Sequence, residues 1–326
     1  METSATQQRQ GLWAALGAFG IWGMFPLFFT ALQPAGALEI SAHRVLWSFA
    51  TCVIVLTATG ALSGTWRLIQ DRRLLARLAI GSFFLAANWL IFVVAVELDL
   101  VVDAALGYFL NPLVSVALAV LILRERPRPL QWSALAIAGI GALVMVVGLG
   151  RVPWIAFSLA FSFGLYGLIK KQVAARVTAM PGLAIETTVM LVPAVGYLTY
   201  LIVSSGSTFG ADVGLGGTTG HALLLVSSGA VSSVPLLLFA AAARRLPLAT
   251  VAMTQFITPV LQLLVGVVIL GEPMSTARWL GFGFVWLALL ILTVDIVHHA
   301  RARPAVNRPT DPHPADAGTT PRSAPE

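Results

Sequence analysis

Three ionisable side chains, Glu39, His43 and Arg44, fall inside one apolar stretch, LEISAHRVLWSFATCVIVLTA. On a helix, Glu39 and His43 are four residues apart and share a face, with Arg44 about 100° further round from His43. A charged side chain at the centre of a bilayer costs about 2.5–3.5 kcal/mol on insertion scales, so each one needs a reason. One reason is chemical: Arg44 holds an anionic or zwitterionic group of a solute, with Glu39 or His43 as its partner or as a proton carrier. The other is structural: Glu39 stands at the helix entrance, and Arg44 snorkels or pairs with it.

A second set is a polar stripe that occurs twice. Tyr108, Asn111 and Ser115 follow one another at spacings of three and four, as do Gln255, Thr258 and Gln262, so each trio lies on one helix face. Pro112 and Pro259 sit beside them; each removes an intrahelical hydrogen bond and frees a carbonyl. Two kinked polar helices would line a solute path and act as a gate, or their polar groups would hold helices together. Asn88 and Trp89, Trp22 and Tyr166 are further candidates, although an aromatic ring in a span more often packs or anchors at the interface. Trp132 and Trp279 read as interface anchors. Glu125 and Glu272 precede helices whose N-terminal dipole they suit, so both read as structural. Gly139, Gly141, Gly281 and Gly283 would let helices approach closely, within the chain or in a homodimer.

The elements that must position these residues are transmembrane helices. The chain is 58% hydrophobic and 10% charged, whereas soluble domains are roughly a quarter charged. Apolar runs of about twenty residues recur along it, each sufficient to span a hydrocarbon core. They predict an all-α integral membrane fold of ten helices over 11–32, 39–60, 75–97, 102–123, 130–149, 152–171, 182–204, 221–243, 248–270 and 277–298. Residues 1–10 form a short N-terminal tail, and residues 300–326, rich in Pro, Ala, Thr and Arg, form a disordered C-terminal one. Residues 204–220 read as a glycine-rich flexible loop.

Charge supplies an orientation. With both termini in the cytoplasm, nearly every Arg and Lys between spans falls inside, and only Arg151 and Arg278 fall outside. That pattern suits the inner (cell) membrane of a bacterium. The net charge of +6 lies in short clusters between apolar runs, which argues against a nucleic-acid partner. The first span shows no cleavage site and reads as retained.

The chain also repeats itself. Displaced by 147 residues, GYFLNPLVSVALAVLILRERPRPLQW falls on TQFITPVLQLLVGVVILGEPMSTARW, pairing Phe109 with Phe256, Pro112 with Pro259 and Trp132 with Trp279. The same displacement pairs Pro34 with Pro181 and Glu39 with Glu186, but sets Met190 and Leu191 against His43 and Arg44. Halves over 11–149 and 150–299, each with five spans, must lie inverted relative to one another. Inverted repeats recur among secondary transporters, with the solute site near the midplane.

FGIWGMFPLFFTAL, LEISAHRVLWS, ANWLIFVVAVE, GYFLNPLVSVALAVLILRER and FGLYGLIKK, in that order, resemble RarD-type members of the EamA family, in the drug/metabolite transporter superfamily. The resemblance covers roughly residues 11–298. It implies a transporter with helices 1–4 and 6–9 around a central pathway and helices 5 and 10 at the periphery. Members are often named for chloramphenicol sensitivity, and the superfamily's varied solutes fix no substrate.

Other chemistry finds little support. There is no P-loop, the only lysines are Lys170 and Lys171, and the five histidines lack metal-ligand spacing. The single cysteine, Cys52, excludes a disulfide framework. The expectation is a secondary transporter with no cofactor, no metal and no catalytic residue. It competes with a non-transporting membrane receptor or scaffold and with an intramembrane enzyme using Glu39 and His43.

Overall fold

The computed structural model describes residues 5–124, 128–173, 176–243, 245–246 and 254–302. Among them the regular structure is entirely helical. In chain order it comprises α1 (Ala5–Gly23), α2 (Phe25–Ala31), α3 (Ala37–Ala58), α4 (Leu62–Ile69), α5 (Arg72–Glu97) and α6 (Val101–Leu123). Then come α7 (Pro129–Leu149), α8 (Trp154–Val173), α9 (Ala179–Val203), α10 (Gly217–Ala243), α11 (Ile257–Leu264) with a π-helical turn (Val265–Ile269), and α12 (Thr276–Ala302). Seven of these helices are long and apolar enough to cross a membrane, and eight if the bent pair α1–α2 counts as one span. Two shorter apolar stretches, Trp154–Lys170 and Ile257–Ile269, accompany them.

Several boundaries differ from the sequence reading. The first helix starts at Ala5, so the expected N-terminal tail is partly helical. Helix 1 breaks at Met24, where α1 and α2 meet at 43°. Pro26 explains the break: it has no N–H, and its ring crowds the carbonyl four residues back, that of Trp22. Pro112 instead lies within the unbroken α6, and Pro259 in the first turn of α11, where a missing N–H costs little. The start of helix 9 and the C-terminal tail from residue 303 lie outside the described residues, as does Glu125. The short helix α4 was not anticipated; its Trp66 is exposed while Thr65 is buried.

Carboxylates from distant elements close two helix starts. Glu97 accepts the Ala37 N–H at 3.1 Å, capping α3, which has no side-chain cap of its own. Glu272 accepts the N–H groups of Val101 and Val102 at 2.5 and 2.9 Å. Its partner is thus the dipole of α6 rather than that of the helix it precedes.

Helices from the front of the chain pack chiefly on helices from the back. α1 lies against α10 and α11, α3 against α9 and α10, α5 against α8 and α9, and α6 against α8 and α11. α7 and α12 pack on each other, where Gly141 and Gly281 admit the side chains of Phe284 and Met145; Gly139 and Gly283 face open space. Around that pair, Ile140, Leu143, Val147, Leu287, Leu290 and Val294 are exposed, an apolar rim that suits lipid.

Candidate functional site

Arg44 projects from α3 into the protein, with 2% of its surface exposed. Its guanidinium carbon lies 4.4 Å from the ring centroid of Trp89, 4.7 Å from Phe29 and 5.6 Å from Phe25. Aromatic faces attract a cation through their quadrupoles, and desolvation strengthens the effect. Nε donates to Ser232 Oγ on α10 at 3.1 Å. Nη1 is buried without a partner, and among the described residues no carboxylate lies within ion-pair distance of Arg44. Helices α2, α3, α5 and α10 thus build one cage around an uncompensated cation.

Glu39 is committed elsewhere, so it is not the counter-ion of Arg44. Its Oε1 accepts from Ser207 Oγ at 2.9 Å and from the Thr208 backbone N–H at 2.7 Å, and its Oε2 accepts from Thr208 Oγ at 3.0 Å. The fully buried His221 shares Thr208 Oγ at 2.9 Å. His43 stacks on Phe209 with centroids 5.2 Å apart, and Trp47 Nε1 donates to its Nδ1 at 3.2 Å. The segment that read as a flexible glycine-rich linker is therefore docked on α3 as a strap. Gly214, at φ 68°, lies so close to the His221 ring that a Cβ there would collide with it.

The structure assigns partners to most of the other candidates. Asn88 donates to Leu159 O at 3.2 Å and Ser162 Oγ at 3.1 Å, and accepts from Tyr108 OH at 3.4 Å, tying α5 and α6 to α8. Thr258 donates to Phe19 O at 2.9 Å, and Gln262 Nε2 to Trp22 O at 3.1 Å. The latter carbonyl is the one Pro26 deprives of its helical partner. These are contacts of helix joining. Gln255 stands half-buried one turn before Thr258, and its carbonyl accepts the Thr258 N–H. Asn111 Oδ1 and Gln262 Oε1 remain buried and unpartnered. Tyr166 donates to Glu186 at 3.2 Å, and Lys170 pairs with the same carboxylate at 2.8 Å.

Sequence reasoning missed Phe25, Phe29 and Ser232 around Arg44, and Ser207, Thr208 and His221 around Glu39. The signals available were the aromatic run FPLFF and the paired serines at 232 and 233, neither of which carries its distant partner in its own local pattern. Phe29 also lines a cavity of about 270 Å³ with Gln33, Pro34, Ile40, Val93, Val96 and Glu97, so the cage borders open volume.

Comparison with known proteins agrees with this architecture. The model of the EamA-like transporter family matches residues 9–147. Protein RarD of Streptomyces exfoliatus is 43% identical over 295 residues, covering 90% of this chain and 91% of that protein. Protein RarD of Escherichia coli K12 is 39% identical, covering 91% and 98%. A solved crystal structure that is 19% identical superposes with a TM-score of 0.57 over 87% of this chain and 97% of its own, a likeness of fold. The chain is a multi-pass membrane protein and belongs to the RarD-type branch of the EamA-like transporter family.

Proposed function

We propose that this protein is a secondary transporter that moves a small organic solute with an anionic group across the cell membrane by alternating access. The observation that carries the reading is Arg44, a buried cation with aromatic faces, an unpartnered Nη1 and no carboxylate at hand. An unpaired charge in such a place is costly unless something completes it. A transported anion completes it in one state and departs in another.

Alternation draws support from the way the helices pair. Taking α1–α2, α3, α5, α6 and α7 as spans one to five, and α8 to α12 as six to ten, contacts come in matched sets. Span 1 packs on 8 as 6 does on 3; span 1 on 9 as 6 on 4; span 2 on 8 as 7 on 3. Spans 2 and 7, 4 and 9, and 5 and 10 meet their own counterparts. This is the pattern expected of ten spans in two inverted five-helix halves, whose exchange of conformations would open the path to each side. In this reading both termini are cytoplasmic, and the strap over Glu39 closes the outer mouth. Arg151 and Arg278, the outer basic residues, both pair with Asp103 at 3.1 Å, which offsets their positive charge. Gly139 and Gly283 remain available to a second copy.

Solute counterflow tests the reading. Proteoliposomes loaded with unlabelled benzoate, 3-phenylpropanoate or succinate are diluted into the labelled compound. Saturable accumulation of unmodified label with at least one of them, abolished in Arg44→Ala, is expected. Conversion of the label would support an enzyme, and binding without accumulation a receptor; either outcome sinks the proposal.

A further inference from the structure

Resting on the anion-binding reading of Arg44, we infer that the solute is an organic carboxylate with an apolar body and no ammonium group beside the carboxylate. Two independent features of the cage lead there. The first is the direction of approach. Trp89, Phe29 and Phe25 surround the guanidinium at ring distances of 4.4, 4.7 and 5.6 Å, and Ser232 takes the Nε edge. What these contacts leave unpartnered is Nη1. A carboxylate is flat and meets a guanidinium edge-on through two parallel hydrogen bonds. The rings around the guanidinium then stand beside the body of the solute, where apolar carbon is favoured.

The second feature is the absence of a counter-charge for an amine. An α-amino acid brings an ammonium within a few ångströms of its carboxylate, and a buried ammonium needs a carboxylate of its own. Glu39 is the nearest acid along α3, and its two oxygens already accept three hydrogen bonds from Ser207 and Thr208. Glu186 is held by Lys170 and Tyr166, and Asp103 by Arg151 and Arg278; Glu97, on the wall of the neighbouring cavity, is exposed and caps α3 through the Ala37 N–H. The unpartnered oxygens of Asn111 and Gln262 are neutral amides, which suit a hydroxyl but offer an ammonium no balancing charge. Of the anionic and zwitterionic groups that the sequence left open for Arg44, the site therefore selects the anionic one.

A matched pair of probes tests this. 3-Phenylpropanoate and phenylalanine differ only by the α-ammonium, and phenethylamine carries the amine without the carboxylate. Thermal unfolding of the purified full-length protein is followed against each, since a ligand that binds the native state raises the transition in proportion to the logarithm of its concentration over its Kd. The expected result is a shift with 3-phenylpropanoate, binding at least about tenfold weaker for phenylalanine, and none for phenethylamine. The shift disappears in Arg44→Ala and weakens in Ser232→Ala, which keeps the charge should Arg44→Ala fail to fold. Equal or tighter binding of phenylalanine overturns amine exclusion while leaving Arg44 as an anion site. A 3-phenylpropanoate shift that survives Arg44→Ala moves the site elsewhere and overturns the inference. No shift with 3-phenylpropanoate also overturns it, and the transport reading is then judged by counterflow of the other carboxylates alone.

Discussion

At the scale of single residues, the contrast between Glu39 and Arg44 separates structure from recognition. They are five positions apart on one helix and both are buried, at 3% and 2% exposure. Glu39 is completed three times over by the strap, whereas Arg44 has one hydrogen bond and a set of rings. A satisfied buried charge holds an element in place; an unsatisfied one waits for a ligand. Asp71 is a third case, at the opposite end of the bundle from the strap. It caps α5 by accepting the Leu74 and Arg73 N–H groups at 3.0 Å and pairs with Arg176 at 2.6 Å. The Leu74 N–H foremost, then Arg176, hold its carboxyl below the ordinary carboxylate range. A depressed carboxylate stabilises the fold above its unfolded pKa, about 3.9, and that contribution fades as pH falls through the folded value. Asp71→Ala should therefore unfold at lower temperature than the native protein at pH 7. The gap should narrow once pH drops below about 4; a gap independent of pH would show that the carboxylate charge is not what Asp71 contributes.

At the scale of elements, the energetics rest on how closely helices approach. Gly229 on α10 lies so near α3 that a Cβ there would overlap the backbone carbonyl group of Trp47. Ser48 Oγ donates to the Gly229 carbonyl at 3.4 Å in the same contact. Backbone cannot step aside as a side-chain tip can, so Gly229→Ala must push α10 from α3 and displace Ser232 from Arg44. Overpacking of this kind costs about 1–3 kcal/mol or more. Gly139→Ala, made in open space on α7, should instead be neutral or stabilising by roughly 0.5–1 kcal/mol through helix propensity. Thermal unfolding of the two variants in detergent checks the opposite signs. The same elements show what the sequence could and could not reveal. Apolar runs and charge clusters located helices because both are local signals, and Arg44 was conspicuous as a charge within one of them. The strap was not legible: Ser207 and Thr208 lie 168 and 169 residues from Glu39, and their glycine-rich surroundings signal only turns. The break at Pro26 was not drawn from the sequence, which read as one helix over 11–32, because the repeat made Pro112 and Pro259 prominent instead. Five residues of the duplicated stripe, Tyr108, Asn111, Ser115, Thr258 and Gln262, do lie on helices, whereas Gln255 stands in a turn ahead of α11, and the carbonyls of Phe19 and Trp22 that receive Thr258 and Gln262 belong to the far end of the chain.

At the scale of the whole molecule, orientation and mechanism stand together. If the halves are inverted, Glu39 and Glu186 occupy equivalent positions at opposite mouths, and each is held in a different way. Glu39 is bound by hydroxyl and backbone donors of the strap, and Glu186 by Lys170 and Tyr166. A lysine suits the cytoplasmic mouth and a strap without Lys or Arg the outer one, in keeping with the bias of basic residues toward the inside. The arrangement is testable without knowing the solute, because the one cysteine, Cys52, is buried and can be removed. In a Cys52→Ala background, Ser204→Cys marks the exposed start of the strap and Thr59→Cys the exposed end of α3, on the opposite face. A membrane-impermeant maleimide should label the Ser204→Cys variant in intact cells and the Thr59→Cys variant only after permeabilisation. The reverse pattern would turn the molecule over and make the strap an inner gate. Labelling of both in intact cells would place α3 off the membrane, and the inverted-repeat mechanism would fall with it.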